Sequence, residues 1–335
     1  VSGAPDSPPA GTPGTISVIV ATRDRPEMVL RCVASIVAAA GKSLGEIVVV
    51  DQSTGPAADL ATVVGPREGR AFVVRHLKTE TVGVSRNRNF GFAAAGHPIV
   101  AVTDDDCVVA PDWIAAIARA FDERPELTAV CGRILPLGKP VPGAAPAAVV
   151  PYTEAVDLPP DDDPSRYGAG GNFAVRREAV LAAGGYDEHL GPGTPVPSAE
   201  DAELIYRLLK AGGTVAYDPR ILVRHESWRP PMELLDIAYA YELGAGVYLT
   251  RELVARHDTV AARALLRRFF RDGAWLFLGG LVLRKPWHWR AAWRRMAGLS
   301  RGVWAVLRRD PDYGITREWL HTPPAWEATD AGRWR

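Results

Sequence analysis

Residues Pro98-Ile-Val-Ala-Val-Thr103 run directly into Asp104-Asp105-Asp106, and Pro111 lies shortly beyond. An apolar stretch rich in β-branched residues and closed by acids predicts a buried parallel strand. Such a strand delivers carboxylates to the carboxyl edge of a sheet, where ligands of α/β folds bind. Paired carboxylates at that edge suit a hard divalent cation, which keeps part of its coordination for substrate phosphates. An Asp-x-Asp pair here therefore points to a phosphorylated or nucleotide-linked substrate, against the plainer reading of a solvated acidic turn. Asp161-Asp162-Asp163 supplies the contrast: flanked by Pro159, Pro160 and Pro164 with no strand before it, it reads as a loop.

Working outward, Ile16 to Ala21 reads as a first strand, followed by Thr22-Arg23-Asp24-Arg25-Pro26 and a helix over about Glu27 to Ala40. Pro26 suits a helix N-terminus, and Val29, Leu30, Val33, Ile36 and Val37 recur at helical spacing. Glu46 to Val50 is a second buried strand ending in Asp51, and Ala71 to Arg75 a third. A helix from about Ser85 to Ala95, carrying Arg86, Asn87, Arg88 and Asn89, leads into the aspartate strand. This alternation predicts a mostly parallel sheet with helices on both faces. Further strands are expected at Ala129 to Leu135, just after Asn172, at Thr214 to Tyr217, and at Ile221 to Arg224, with His225 ending the last. Between them, Leu204, Ile205, Leu208 and Leu209 make one apolar face of a helix over Ser198 to Lys210, whose first turn holds Glu200 and Asp201.

The net charge of zero over 335 residues hides an asymmetry: Arg263 to Arg309 contains twelve Lys or Arg against the single acid Asp272. The remainder is accordingly acidic, which argues against nucleic acid as a partner of the main domain. Cys32, Cys107 and Cys131 show no metal-type spacing and read as reduced thiols of a cytoplasmic protein. Residues 1–14 read as a disordered lead without a signal-peptide pattern, residues 15–228 as the main α/β unit, and residues 229–335 as a helical, basic and Trp-rich region. In the last, Gly273 to Leu283 is apolar but short of the ~20 residues that span a bilayer. Flanking cations and Trp275, Trp287, Trp289, Trp293 and Trp304 suit either an interfacial helix at the inner face of the cell membrane or an appendage packed on the main α/β unit.

Three signals converge: Asp104 and Asp106 after a strand, Glu200 and Asp201 at a helix start, and His225 after a late strand. A neutral imidazole joining two carboxylates suits Mn²⁺ or Mg²⁺ and leaves another carboxylate free as a base. Singly, each has a plain alternative: Glu200 and Asp201 could complement the helix dipole, with Ser198 and Asp201 as a capping pair, and His225 could be a structural histidine.

In their order, Ile16–Arg25, Glu46–Gly55, Val82–Phe92, Ile99–Trp113, Gly171–Glu188 and Glu200–Lys210 resemble the successive motifs of family 2 glycosyltransferases. The resemblance implies the GT-A fold, a Rossmann-like nucleotide-diphospho-sugar transferase architecture, and a metal-assisted, inverting sugar transfer from a nucleotide diphosphate. By position it assigns Thr22, Arg23, Asp24 and Asp51 to the nucleoside pocket, Arg86 to the base or diphosphate, and Asp104 and Asp105 to the donor. It assigns Asp104, Asp106 and His225 to the metal, Asn172 to the donor sugar and acceptor, and Asp201 to the general base with Glu200 beside it. The acceptor is left open among a glycan, a lipid-linked sugar and a small molecule, as is the oligomeric state. A catalytically silent nucleotide-sugar-binding or scaffold protein is the competing class. A sugar-phosphate nucleotidyltransferase should carry a Gly-rich phosphate loop after the first strand, which Thr22-Arg-Asp-Arg-Pro26 lacks.

Overall fold

The computed structural model describes residues 16–66, 71–168 and 170–322; the expected lead at 1–14 and the end of the C-terminal region, from 323, lie outside them. The chain runs β1 (Ile16–Thr22), α1 (Pro26–Ala38), β2 (Leu44–Asp51), α2 (Ala61–Val64), β3 (Val73–Lys78), α3 (Val84–Ala94), β4 (Ile99–Asp104), β5 (Cys107–Val109), α4 (Trp113–Glu123) and β6 (Leu127–Pro136). The short strands β7 (Ala145–Pro146) and β8 (Val156–Asp157) follow. Then come β9 (Phe173–Arg176), α5 (Arg177–Ala182), α6 (Glu200–Lys210), β10 (Thr214–His225) and β11 (Trp228–Arg229). The helical region comprises α7 (Pro231–Arg256), α8 (Thr259–Phe269), a π-helical turn (Phe270–Ala274), α9 (Trp275–Val282), α10 (Pro286–Arg308) and α11 (Arg317–His321).

The main sheet has the order β3-β2-β1-β4-β9-β6-β10-β5. β3, β2, β1 and β4 are mutually parallel; the Val and Ile runs of β1, β2 and β4 are buried on both faces, and β3 at the edge is half-buried. β9 runs antiparallel between β4 and β6, so the second half of the sheet is mixed. The two strands expected at Thr214–Tyr217 and Ile221–Arg224 are one strand, β10. Its parallel pairing to β6 slips between Asp218 and Leu222 and resumes, so Pro219 and Arg220 form an irregularity instead of a break.

From β1 the chain moves outward through β2 and β3, then returns to place β4 on β1's other side. Right-handed crossovers therefore put α1 and α2 on one face and α3 on the other, and the crevice at the carboxyl ends of β1 and β4 is the switch point where such sheets bind ligands. A second core joins the helical region to the α/β unit: Leu190, Val196 and Tyr206 pack with Val247, Tyr248, Leu249, Leu299, Val306 and Trp319. α7 and α10 approach closely because glycines face each other there. A Cβ added to Gly302 would lie 2.9 Å from Val247 N, and one on Gly246 would lie 3.1 Å from Gly302 Cα.

Candidate active site

The strand ends supply one side of the site. Thr22, closing β1, donates its hydroxyl to Asp105 Oδ2 at 2.7 Å, and Arg25, at the start of α1, reaches Asp105 Oδ1 at 3.2 Å and Asp106 Oδ2 at 3.5 Å. Burial pushes Asp105 up to about 6, against the pull of Thr22 and Arg25. The middle aspartate thus tethers the turn while its neighbours face the crevice. His225 ends β10 opposite Cys107 of β5, placing its Nε2 3.1 Å from Asp106 Oδ1. Burial opposes charge on both, yet their proximity holds Asp106 below and His225 above their ordinary values. That contact has the distance of an ion pair without hydrogen-bond alignment, so Asp106 Oδ1 is a buried oxygen with no hydrogen-bond donor.

The other side is the first turn of α6, and a residue outside the expected set connects the two. Arg88 is 2% exposed. Its Nη2 donates to Asp104 Oδ1 at 2.9 Å, and its Nη1 to Asp201 Oδ1 at 2.6 Å and Glu200 Oε1 at 3.3 Å. Burial disfavours the guanidinium charge, but these carboxylates keep it protonated. Burial likewise raises Glu200 and Asp201, and Asp201's charge helps push Glu200 up to about 8 while Arg88 opposes. The Gly170 N–H donates to Asp201 Oδ2 at 2.8 Å, and a Cβ at Gly170 would overlap that carboxylate. A Cβ at Gly171 would come within 3.1 Å of Asp104 Oδ2, so the Gly-Gly turn lets backbone lie against both carboxylates.

The two sides line one cavity of about 780 Å³ with Thr22, Arg23, Arg25, Asp104, Asp105, Asp106, Glu200, Asp201 and His225. Other expected residues sit behind or beside it. Asp51 is buried, accepts from Ser53 N at 2.7 Å and contacts His76 Nε2 at 3.0 Å; these partners outweigh burial and hold it below its usual value. Asp24 accepts from Thr54 N at 3.0 Å across the crevice rim. Asn172 accepts from Trp113 Nε1 and donates to the carbonyls of Arg133 and Ile221, so its amide pins the Gly-Gly turn from behind. Arg86 pairs with Glu188 at 3.1 Å outside the cavity lining. The capping pair does not form: Ala199 precedes the helix in the left-handed region, and Ser198 turns its hydroxyl to Ala240 O.

Helical phase was the available signal for Arg88. It lies three residues after buried Ser85 and four before buried Phe92, on the inner face of α3, while Arg86 falls on the outer one. The helical region also enters the cavity wall through Tyr241, Glu242, Tyr248, Arg268 and Arg295. Asp163, expected in a plain loop, is buried: it accepts from Tyr248 Oη at 3.0 Å and Arg268 Nε at 2.6 Å. Glu242 in turn binds Arg268 and Arg295. No sequence pattern linked these residues, because their partners lie 26 to 105 positions away.

Residues 17–181 match the family model described as glycosyl transferase family 2. A glucosyl-dolichyl phosphate glucuronosyltransferase of Haloferax volcanii is 26% identical over 63% of this chain and 69% of its own length. A pre-mycofactocin glycosyltransferase of Mycobacterium tuberculosis is 28% identical over 65% of this chain, and the match spans 44% of that longer relative. The structure of the mannosyltransferase PcManGT from Pyrobaculum calidifontis, in complex with GDP-Man and Mn²⁺, superposes with a TM-score of 0.57, covering 86% of this chain and 87% of that one at 17% identity. The switch-point crevice, the family match and the two sequence relatives lead to one conclusion: this chain is a family 2 glycosyltransferase with the GT-A fold.

Proposed function

We propose that the enzyme transfers a sugar from a nucleotide-diphosphate donor to an acceptor hydroxyl with inversion, using Mn²⁺ or Mg²⁺ at Asp104 and Asp106 and Asp201 as general base. The observation that carries this reading is that Arg88 ties the strand-end carboxylate Asp104 and the helix-start carboxylate Asp201 to one cavity. The donor set fits a hard cation. Asp104 and Asp106 gather with Cys107 so that their ligand atoms lie within 4.8 Å of one another, and Asp106 Oδ1 has no hydrogen-bond donor. Burial keeps the Cys107 thiol protonated, which leaves the oxygens as the better ligands; His225 reaches the group through Asp106.

A bound divalent ion would offset charge on the departing diphosphate. Inversion requires attack from the opposite face of the sugar, and Asp201, across Arg88 from Asp104, is the carboxylate available there. Arg88 and the Gly170 N–H orient it and favour its charged form, the state that accepts a proton from the acceptor. Calorimetric titration with nucleoside diphosphates tests the donor side. Asp106→Ala and His225→Ala are expected to weaken Mn²⁺-dependent binding by about tenfold or more, the scale on which disturbed metal surroundings act. Parental affinity in both would remove these residues from the metal site.

The acceptor reading favours a lipid-linked or amphipathic molecule, by analogy with the dolichyl-phosphate-acting relative. No helix among the described residues is long and apolar enough to cross a membrane. α9 and its flanks nevertheless expose Phe270, Trp275 (74% exposed), Leu278, Val282 (80%) and Leu283, bordered by exposed Arg271, Arg284, Lys285 and Arg290. An apolar tip rimmed by cations fits the interface of an anionic bilayer. Arg268 and Arg295 are not part of that rim, since they turn inward to Asp163 and Glu242. Vesicle flotation is expected to show binding that rises with anionic lipid and falls with salt, because screening acts over about 10 Å at 0.1 M ionic strength. Binding to neither neutral nor anionic vesicles would make the tip a protein contact and shift the acceptor toward a soluble molecule.

A further inference from the structure

The turn that carries Asp201 is held by more than its own helix, whose bond there runs from Glu203 N to Ala199 O at 2.9 Å. Ala199 precedes Glu200 with φ +76°, and no side chain caps α6. A left-handed non-glycine residue is unfavourable and persists where its surroundings over-determine it. Those surroundings include α7. Ser198 Oγ donates to Ala240 O at 2.6 Å, and a Cβ placed on Gly244 would overlap Ser198 Oγ and lie 2.7 Å from Ala199 Cβ and 2.9 Å from Ser198 O. From the opposite side, Gly191, itself at φ +99°, approaches Glu200 so closely that a Cβ would lie 3.0 Å from Glu200 Cδ.

We infer that Gly244 and Ser198 are positioning residues for the catalytic base: α7, which lies outside the stretch matched by the family model, clamps the turn that aims Asp201 across the cavity. The clamp rests on the assignment of Asp201 as base. It touches neither Asp104, Asp106 nor the strand ends, so its effect belongs to turnover and not to donor affinity.

The experiment compares Gly244→Ala, which presses a methyl into the turn, with Ser198→Ala, which deletes one hydroxyl and threatens folding least. Steady-state turnover is measured alongside Mn²⁺-dependent nucleoside diphosphate affinity in each full-length variant. Turnover is expected to fall about 10- to 100-fold in Gly244→Ala, the scale of a misplacement near 1 Å, and by a smaller factor in Ser198→Ala. Affinity should stay within about twofold of the parent in both. A merely structural role predicts that Gly246→Ala, aimed at the α7–α10 contact away from the turn, lowers turnover per folded molecule as much as Gly244→Ala does; that result would overturn the clamp. Parental turnover in Gly244→Ala and Ser198→Ala, or a parallel fall in affinity, would overturn it too. Parental turnover in Asp201→Asn would separately remove the base on which it rests.

Discussion

Asp201→Asn is expected to lower turnover by about 10²–10⁴, the usual contribution of a positioned general base, with the fold and donor affinity retained. The amide keeps the carboxylate's shape but loses its basicity, and its single oxygen can accept from only one of the two donors, Arg88 Nη1 and Gly170 N, that the carboxylate serves. The parent's turnover should fall on the acid side of a limb lying above the ordinary aspartate range, because burial raises Asp201 and only its deprotonated form accepts a proton. That limb should disappear from the residual activity of the variant. Near-parental turnover in Asp201→Asn, measured where chemistry limits the rate, would shift the role to Glu200 or another group.

Arg88→Met is expected to abolish transfer and to destabilise the fold by about 3–5 kcal/mol, the loss seen when one partner of a buried ion pair is removed. Three carboxylates, Asp104, Glu200 and Asp201, would lose the guanidinium they share. The pH dependence gives the signature. Without Arg88 the folded-state values of Glu200 and Asp201 rise further above their unfolded ones, so the folded protein binds protons more tightly than the unfolded chain. Stability then falls as pH rises, and the deficit against the parent should be smallest in acid and grow toward pH 8. Denaturant melts at several pH values would show this, and a deficit independent of pH would mean that Arg88 acts through packing alone.

The parallel half of the sheet was legible because β1, β2 and β4 are short apolar runs that end in polar turns, and both faces of such strands must be apolar. Asp104, Asp106 and Asp201 were legible for a related reason: each sits at the end of a periodic element, where a change of composition marks an edge. The antiparallel insertion of β9 was not, since its local residues carry no direction. Arg88 was passed over in favour of Arg86 because charge was read without helical phase. The alternative of Ser198 as a cap fails because a Ser-x-x-Asp pattern satisfies a helix start only when no tertiary acceptor competes, and Ala240 O does. Asp163 looked like a solvated loop acid for want of any local sign of Arg268, which arrives from α8. Charge density likewise drew Arg263–Arg309 as one surface, whereas the fold divides it between an inner ion-pair network and an outer rim.

The antiparallel placement of β9 also sets the order in which the enzyme can become active during folding. β1 to β4 pair largely with neighbours in sequence, but β9 must find its slot between β4 and β6 across a long loop whose closure entropy is lost before its contacts repay it. Until it docks, Gly171 O has not accepted from Thr103, and Gly170 has not met Asp201. Nucleotide-binding competence and transfer competence should therefore emerge as separate kinetic phases on refolding, the first with the parallel strands and the second only when the inserted strand closes the sheet.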